Sequence, residues 1–386
     1  MTGLFNGVRS LNAQTTAPGG RAHVAVIGGG IMGAMTAAHL IRLGARVTVH
    51  DPHTMGIGPG ASVDTGRSFR VHYGQDRTLV AHAVRSHRLW KEWEAELGRP
   101  LMRATGKVLL EEPGDRHAFE SWKTLRSMGL RADRLSGSLV AGEWPGLTAE
   151  AATVDRMGGV LEPHIILDAL HVWLKTRGAE FRGEALGLSP RSVTDGHGEQ
   201  AYDAVVLTAG AWTSRFLDAP MEVTRQELVY FDASALGDRL ERLPVFSHME
   251  SGFYAIPTAR DGRIKVANHH PGPSGHPDGD NREVTPKFEQ SARAFLARYI
   301  PELADAEVVR RYVCFYSGTA DRDFILDRTT EGLVVGAGFS GHGFKFSPLV
   351  GRLLAQLALG HAPEVDLSRF AMDRPALHGE AIRMAV

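Results

Sequence analysis

Cysteine is almost absent: Cys314 is the only one in 386 residues, so no internal disulfide can form. Neither a CxxC nor an HExxH spacing organises the eighteen histidines into a metal site, and none is expected. No run of about 18 apolar residues could span a bilayer. Charge of one sign is not concentrated anywhere. With 43 basic and 44 acidic residues the formal net charge is −1, and the scattered Lys and Arg offer no electrostatic footprint for nucleic acid. These absences leave a cytoplasmic protein with a small-molecule partner, without nucleic acid or membrane. Residues 1 to 21 carry no acidic residue and lack the apolar core of a secretory signal, so they read as a flexible tail.

What is present points to an α/β protein. Apolar residues make up 43% and charged residues 23%, ordinary for a globular chain, and the length suits two connected domains. His23 to Ile27 is a β-branched run entering Gly28-Gly29-Gly30, and Ile31 to Leu43 follows with helical periodicity until Gly44. Arg46 to His50 is a second strand ending at Asp51, which completes a βαβ unit. Gly28, Gly30 and Gly33 satisfy GxGxxG: the first makes the turn, the second admits a pyrophosphate, the third lets helix and strand pack. Ile31 and Met32 open the helix whose N-terminus faces the phosphates, and Asp51 sits where a ribose-hydroxyl acceptor belongs. The motif does not choose between NAD and FAD.

Further along, Leu79 to Leu97 places Leu79, Val80, Ala83, Leu89, Trp90 and Trp93 largely on one helical face, which reads as core. Ile165 to Lys175 reads as a helix, and Tyr202 to Leu207 and Leu333 to Gly336 as buried strands. Residues 221 to 270 alternate short β-type runs with turn residues, as in Gly252 to Ile256 and Ile264 to Ala267, predicting an antiparallel sheet. Pro271 to Asp280 is a loop, and Pro286 opens a helix to about Tyr299.

Five separated segments carry a more specific signal. They are the glycine turn; Arg67-Ser68-Phe69-Arg70 with Tyr73-Gly74; Gly210-Ala211-Trp212; Val313-Cys314-Phe315-Tyr316; and Gly338 to Ser347, which contains Gly341-His342-Gly343-Phe344-Lys345. Together with Asp373 to Leu377 they resemble the FAD-dependent amine oxidases typified by monomeric sarcosine oxidase and N-methyltryptophan oxidase, within the D-amino acid oxidase superfamily. The resemblance implies a Rossmann-type FAD-binding domain (22–88, 153–218 and 318–386) and an α+β substrate domain with an antiparallel sheet (89–152 and 219–317).

It implies roles as well. Gly28, Gly30, Ile31, Met32, Gly33, Asp51, Arg67, Ser68, Gly210, Trp212, Gly341, His342, Gly343, Phe344 and Lys345 would contact FAD, and Cys314 would carry it through a thioether to the 8α-methyl carbon. A small buried hydrophobe is the ordinary role of a lone cysteine. Arg70 and Lys345 would hold the substrate carboxylate, an arginine fork beside a point charge. Lys265 would stand by flavin N5 and promote reaction with oxygen, with Arg67 nearby; strand alternation alone would equally place Lys265 on a solvated face. Tyr254, His269 and Tyr316 would line the substrate site, and each could also be an ordinary core or surface residue. Val63 and Gly66 depart from the family, which usually carries histidine and threonine there.

The expected activity is oxidation of a small carboxylated amine, a secondary N-methyl or cyclic amino acid, by a monomer. A hydride passes to flavin N5 and molecular oxygen reoxidises it, giving imine and hydrogen peroxide. A biosynthetic oxidase of a cyclic imino acid or glycated amino acid is the alternative on the same scaffold. A non-catalytic flavin-binding protein would need none of Arg70, Lys265 and Lys345, and an NAD-dependent dehydrogenase leaves Cys314 and Lys345 without a role.

Overall fold

The computed structural model describes residues 20–112 and 115–378, so the expected tail lies outside it up to residue 19. Six strands form one sheet in the order Ile325–Arg328, Val334–Ala337, Ala204–Leu207, His23–Ile27, Arg46–His50 and Glu180–Arg182. All pair in parallel except Ile325–Arg328, which returns antiparallel at one edge. Val24 to Ile27 and Ala204 to Leu207 are buried throughout, the continuous apolar pattern of parallel strands covered on both faces. Ile31–Arg42 and Ser347–Ala358 pack together over this sheet, and the first buries ten of its twelve residues.

The helix expected at Leu79 to Leu97 runs Arg77–Leu97. Asp76 caps its start by accepting from the Leu79 N–H, and Gly98 ends it in the left-handed region at φ 64°. All six residues predicted for its apolar face are buried. Removing either fully buried indole, Trp90 or Trp93, would cost about 3–5 kcal/mol. This face also reaches the site: the Trp90 Nε1–H and the Ser86 hydroxyl donate to the Lys345 carbonyl at 2.9 and 2.6 Å.

A second, eight-stranded sheet runs Val308–Thr319, Met221–Asp232, Arg263–Asn268, Phe253–Thr258, Val245–His248, Lys107–Glu111, Ala151–Asp155 and Ala132–Ser136. The expected antiparallel pairing holds except between Val245–His248 and Lys107–Glu111, which are parallel. The helix Pro286–Tyr299, capped by Thr285, lays Ala292, Phe295, Leu296 and Tyr299 on this sheet among Phe246, Ile264 and Val266. A small sheet of Arg67–Phe69, Gly159–Leu161 and Met102–Arg103 carries the arginine segment. The expected boundaries at 88/89, 152/153 and 317/318 each fall inside an element: Arg77–Leu97, Ala151–Asp155 and Val308–Thr319. Among the described residues no helix is long and apolar enough to cross a membrane.

Candidate active site

One cavity of about 530 Å³ is lined from two sides. The carboxyl ends of the parallel strands contribute Ile27 to Gly30, His50 to Asp51 and Thr208 to Gly210, where open α/β sheets bind ligands. The eight-stranded sheet contributes Lys107, Ser247, Tyr254, Lys265 and Cys314.

At the glycine turn the chain has no room for side chains. A Cβ on Gly33 would stand 1.8 Å from the Gly28 carbonyl oxygen, and one on Gly28, which is at φ 102°, would stand 2.6 Å from Thr208 O. The helix Ile31–Arg42 has no acidic residue in its first turn to neutralise its positive end, so the site favours a phosphate. Asp51 accepts from the Gly29 and His53 N–H groups at 2.6 and 2.8 Å, which fixes its carboxylate beside the turn.

The other end is built on the strand carrying Cys314 and Tyr316. Gly338, Ser340 and Gly341 all have positive φ, and a Cβ on Gly341 would stand 2.3 Å from the Tyr316 ring. The Ser340 N–H donates to Ser317 O at 2.9 Å, fastening the turn to that strand. Ser68 Oγ and His342 Nδ1 are buried without a partner among the described residues, and both line the cavity. Buried polar atoms of this kind call for a ligand. With the glycine cradle and the fixed Asp51 carboxylate, they fit FAD. Gly210 adopts φ 56°, and the Trp212 indole donates to Asp278 at 2.8 Å, tying the Pro271 to Asp280 loop over this part of the cavity.

Cys314 is buried beside Leu228, Tyr230 and Ala267. Burial pushes its thiol up, against the opposing pull of Arg67. Lys265 is likewise buried, so the solvated face that alternation allowed is not its position. Its ammonium donates to Asp64 and, at 2.8 Å, to the Gly66 carbonyl. Burial lowers Lys265 to about 8, although Asp64 works to raise it. Burial alone would raise Asp64, but Lys265 and Arg67, both bonded to it, hold it at about 2. Gly66 explains its departure from the family: a Cβ there would stand 2.9 Å from the Ile256 side chain.

Arg70 and Lys345, 275 positions apart, converge on Tyr73, with the guanidinium carbon 4.1 Å and the ammonium 5.9 Å from the ring centre. Their hydrogen bonds go to backbone carbonyls, Arg70 to His72 O at 2.5 Å and Lys345 to His342 O at 2.9 Å. Among the described residues no carboxylate lies within 4.0 Å of either. Burial and then Arg70 depress Lys345 well below an ordinary lysine. His269, 3.2 Å from an Arg322 nitrogen, is driven well below its usual range by burial and then by Arg70, so its imidazole is neutral. Burial raises Tyr254 to about 12 and Tyr316 further, so both phenols stay protonated.

Every residue given a site role in the sequence therefore lines this cavity or, like Gly33, packs directly beneath it. Asp64 and Lys107 carry no expectation from the sequence, and Tyr73 belongs to a quoted segment but has no role assigned there. Only Asp64 had a signal, an acid three positions before Arg67.

Residues 23–357 match the DAO family, described as FAD dependent oxidoreductase. The chain is 35% identical over 381 residues to monomeric sarcosine oxidase of Bacillus sp. (strain B-0618), covering 92% of this chain and 96% of that one. It is 26% identical over 370 residues to N-methyl-L-tryptophan oxidase of Salmonella typhi, covering 90% and 98%. Among solved structures, L-proline dehydrogenase from P. horikoshii superposes with a TM-score of 0.80 at 23% identity, covering 91% and 96%, a likeness of fold.

Proposed function

The chain belongs to the DAO family of FAD dependent oxidoreductases, and from that premise we propose that it oxidises a secondary amino acid, N-methylated or cyclic, with molecular oxygen as acceptor. The observation that carries the reading is the pair Arg70 and Lys345, two basic side chains at one aromatic ring with no carboxylate of the described residues within 4.0 Å. A substrate carboxylate supplies the missing anion in charge-assisted bonds. Two relatives act, by their names, on N-methylated amino acids, sarcosine and N-methyl-L-tryptophan.

Bound FAD would supply the two-electron acceptor, held by the glycine turn, Asp51, Ser68 and the Gly338 to Ser347 turn. The protein's own residues do the rest. Arg70 and Lys345 fix the carboxylate, which orients the carbon next to nitrogen. Neutral His269 can accept a proton from the substrate ammonium, and the protonated phenols of Tyr254 and Tyr316 donate to the substrate. Lys265 and Arg67 keep positive charge beside the site of oxygen reaction, with Asp64 holding both in place. The chain acts as a monomer.

The test is an anaerobic screen of N-methyl, cyclic, glycated and primary amino acids for bleaching of the flavin band. A secondary amino acid should bleach it fastest. A response confined to glycated amino acids or cyclic imino acids would move the function to a biosynthetic or deglycating oxidase, and no response to any carboxylated amine would end the proposal.

Cys314 is proposed to carry FAD through its sulfur. Acid precipitation of the wild type should leave the yellow colour in the pellet, whereas Cys314→Ser should release all of it to the supernatant. Forming the thioether would release two electrons and two protons from the thiol and the methyl group, to be taken up by bound flavin and recovered by oxygen. Because only the thiolate attacks and burial raises this thiol, attachment after FAD is added to apoprotein should quicken as pH rises. Colour in the wild-type supernatant would rule the tether out.

A further inference from the structure

Lys107 belongs to no role described so far. It begins the strand Lys107–Glu111, is 3% exposed, and lines the same cavity as Arg70 and Lys345. Its ammonium donates to Ser247 Oγ at 2.6 Å, and no carboxylate among the described residues lies within 4.0 Å of it. Buried ammonium groups are ordinarily paired, as Lys265 is with Asp64 in the same sheet.

The acids near Lys107 are committed elsewhere. Asp155, its register partner on the neighbouring strand, accepts from the Val71 and Met157 N–H groups at 2.6 and 3.0 Å and faces His72 at 3.3 Å. Glu111 is paired with Arg134, and Glu112 with His248 and Arg298. Among the described residues the cavity therefore holds three basic side chains with no carboxylate within 4.0 Å, Arg70, Lys107 and Lys345. One substrate carboxylate answers the pair at Tyr73 and leaves the third.

We propose that Lys107 and Ser247 form a second anion subsite, so that the preferred substrate is a secondary amino acid with a carboxylate on its side chain. This rests on the carboxylate role assigned above to Arg70 and Lys345. An ammonium and a hydroxyl are both donors to a carboxylate, and Ser247 can rotate its proton toward the ligand once Lys107 donates to its oxygen. Burial also depresses Lys107 well below an ordinary lysine, with Arg70 adding to the effect and Asp155 opposing it, so an arriving anion favours its charged form. A specificity element of this kind discriminates against neutral side chains because they leave the buried polar groups of Lys107 and Ser247 without an acceptor.

The experiment follows anaerobic reduction of the holoenzyme by N-methyl-L-alanine, N-methyl-L-aspartate and N-methyl-L-glutamate. One acidic substrate should exceed N-methyl-L-alanine in kcat/KM by about tenfold or more. Lys107→Met should erase that preference chiefly through KM of the acidic substrate. A second measurement needs no variant: glutarate should perturb the flavin absorbance at about tenfold lower concentration than butyrate.

Reduction by N-methyl-L-alanine equal to or faster than by both acids overturns the subsite while leaving the secondary amino acid reading intact. So does a Lys107→Met enzyme that loses activity equally on all three. If no amine reduces the flavin, the substrate reading itself fails, and equal binding of glutarate and butyrate then overturns the subsite as well.

Discussion

Lys265→Met slows the reaction of reduced enzyme with oxygen by about 10²- to 10³-fold, the loss expected when a fixed charge is removed from a poorly solvated reaction site. Anaerobic reduction by substrate should change by less than about threefold, because the substrate carboxylate is held by other cations. The geometry supports this division. Two of the three ammonium hydrogens are taken by Asp64 and the Gly66 carbonyl, and one remains for whatever occupies the cavity. Methionine is unbranched and of similar length, and Asp64 keeps Arg67 as its partner, so the variant should fold. Because burial lowers Lys265 to about 8, the wild-type oxygen reaction should be fast below that pH and decline as pH rises through it. The methionine variant should lack the decline. Stopped-flow mixing of pre-reduced enzyme with oxygen at several pH values decides the matter, and an unchanged rate in the variant would remove Lys265 from the oxygen step.

Local patterns made part of this fold legible. The strand, turn and helix from His23 to Asp51 were readable because periodicity, glycine spacing and the terminal acid are consecutive in the chain. The buried face of Arg77–Leu97 was readable for the same reason. The strand Lys107–Glu111 was not. It is buried at all five positions, with charged residues at both ends, so it shows neither alternation nor an apolar run. Its parallel pairing with Val245–His248 joins distant segments, and no local preference specifies such a partner. The site divides likewise. Arg70, Lys345 and Lys265 were recognised only because the motifs around them resemble a family. Asp64 bonds to a lysine 201 positions away, and neutralisation at that separation leaves no mark in a single sequence.

Asp64→Ala should therefore have an effect that composition and motif could not forecast: a loss of about 3–5 kcal/mol in stability, measured by urea unfolding of the holoenzyme at fixed FAD concentration. The large loss comes from what remains. Lys265 is left buried with only the Gly66 carbonyl, so it must either keep its charge unmatched or give up its proton, and Arg67 loses its carboxylate. Since the penalty lies in the stranded lysine, Lys265→Met in the Asp64→Ala background should recover part of it, a coupling of about 1–3 kcal/mol in a double-mutant cycle. The pH dependence follows from the sign of the shift. Asp64 is held at about 2, below its ordinary value of 3.8, so its contribution is complete above about pH 4 and disappears as pH falls toward 2. The gap between wild type and Asp64→Asn should accordingly be wide at neutral pH and close in acid. The oxygen reaction should fall in both Asp64 variants, because without the Asp64 carboxylate burial depresses Lys265 further and a smaller fraction of it is charged at neutral pH. An Asp64→Ala enzyme as stable and as reactive toward oxygen as the wild type would show that the buried ion pair neither holds the site together nor keeps Lys265 charged.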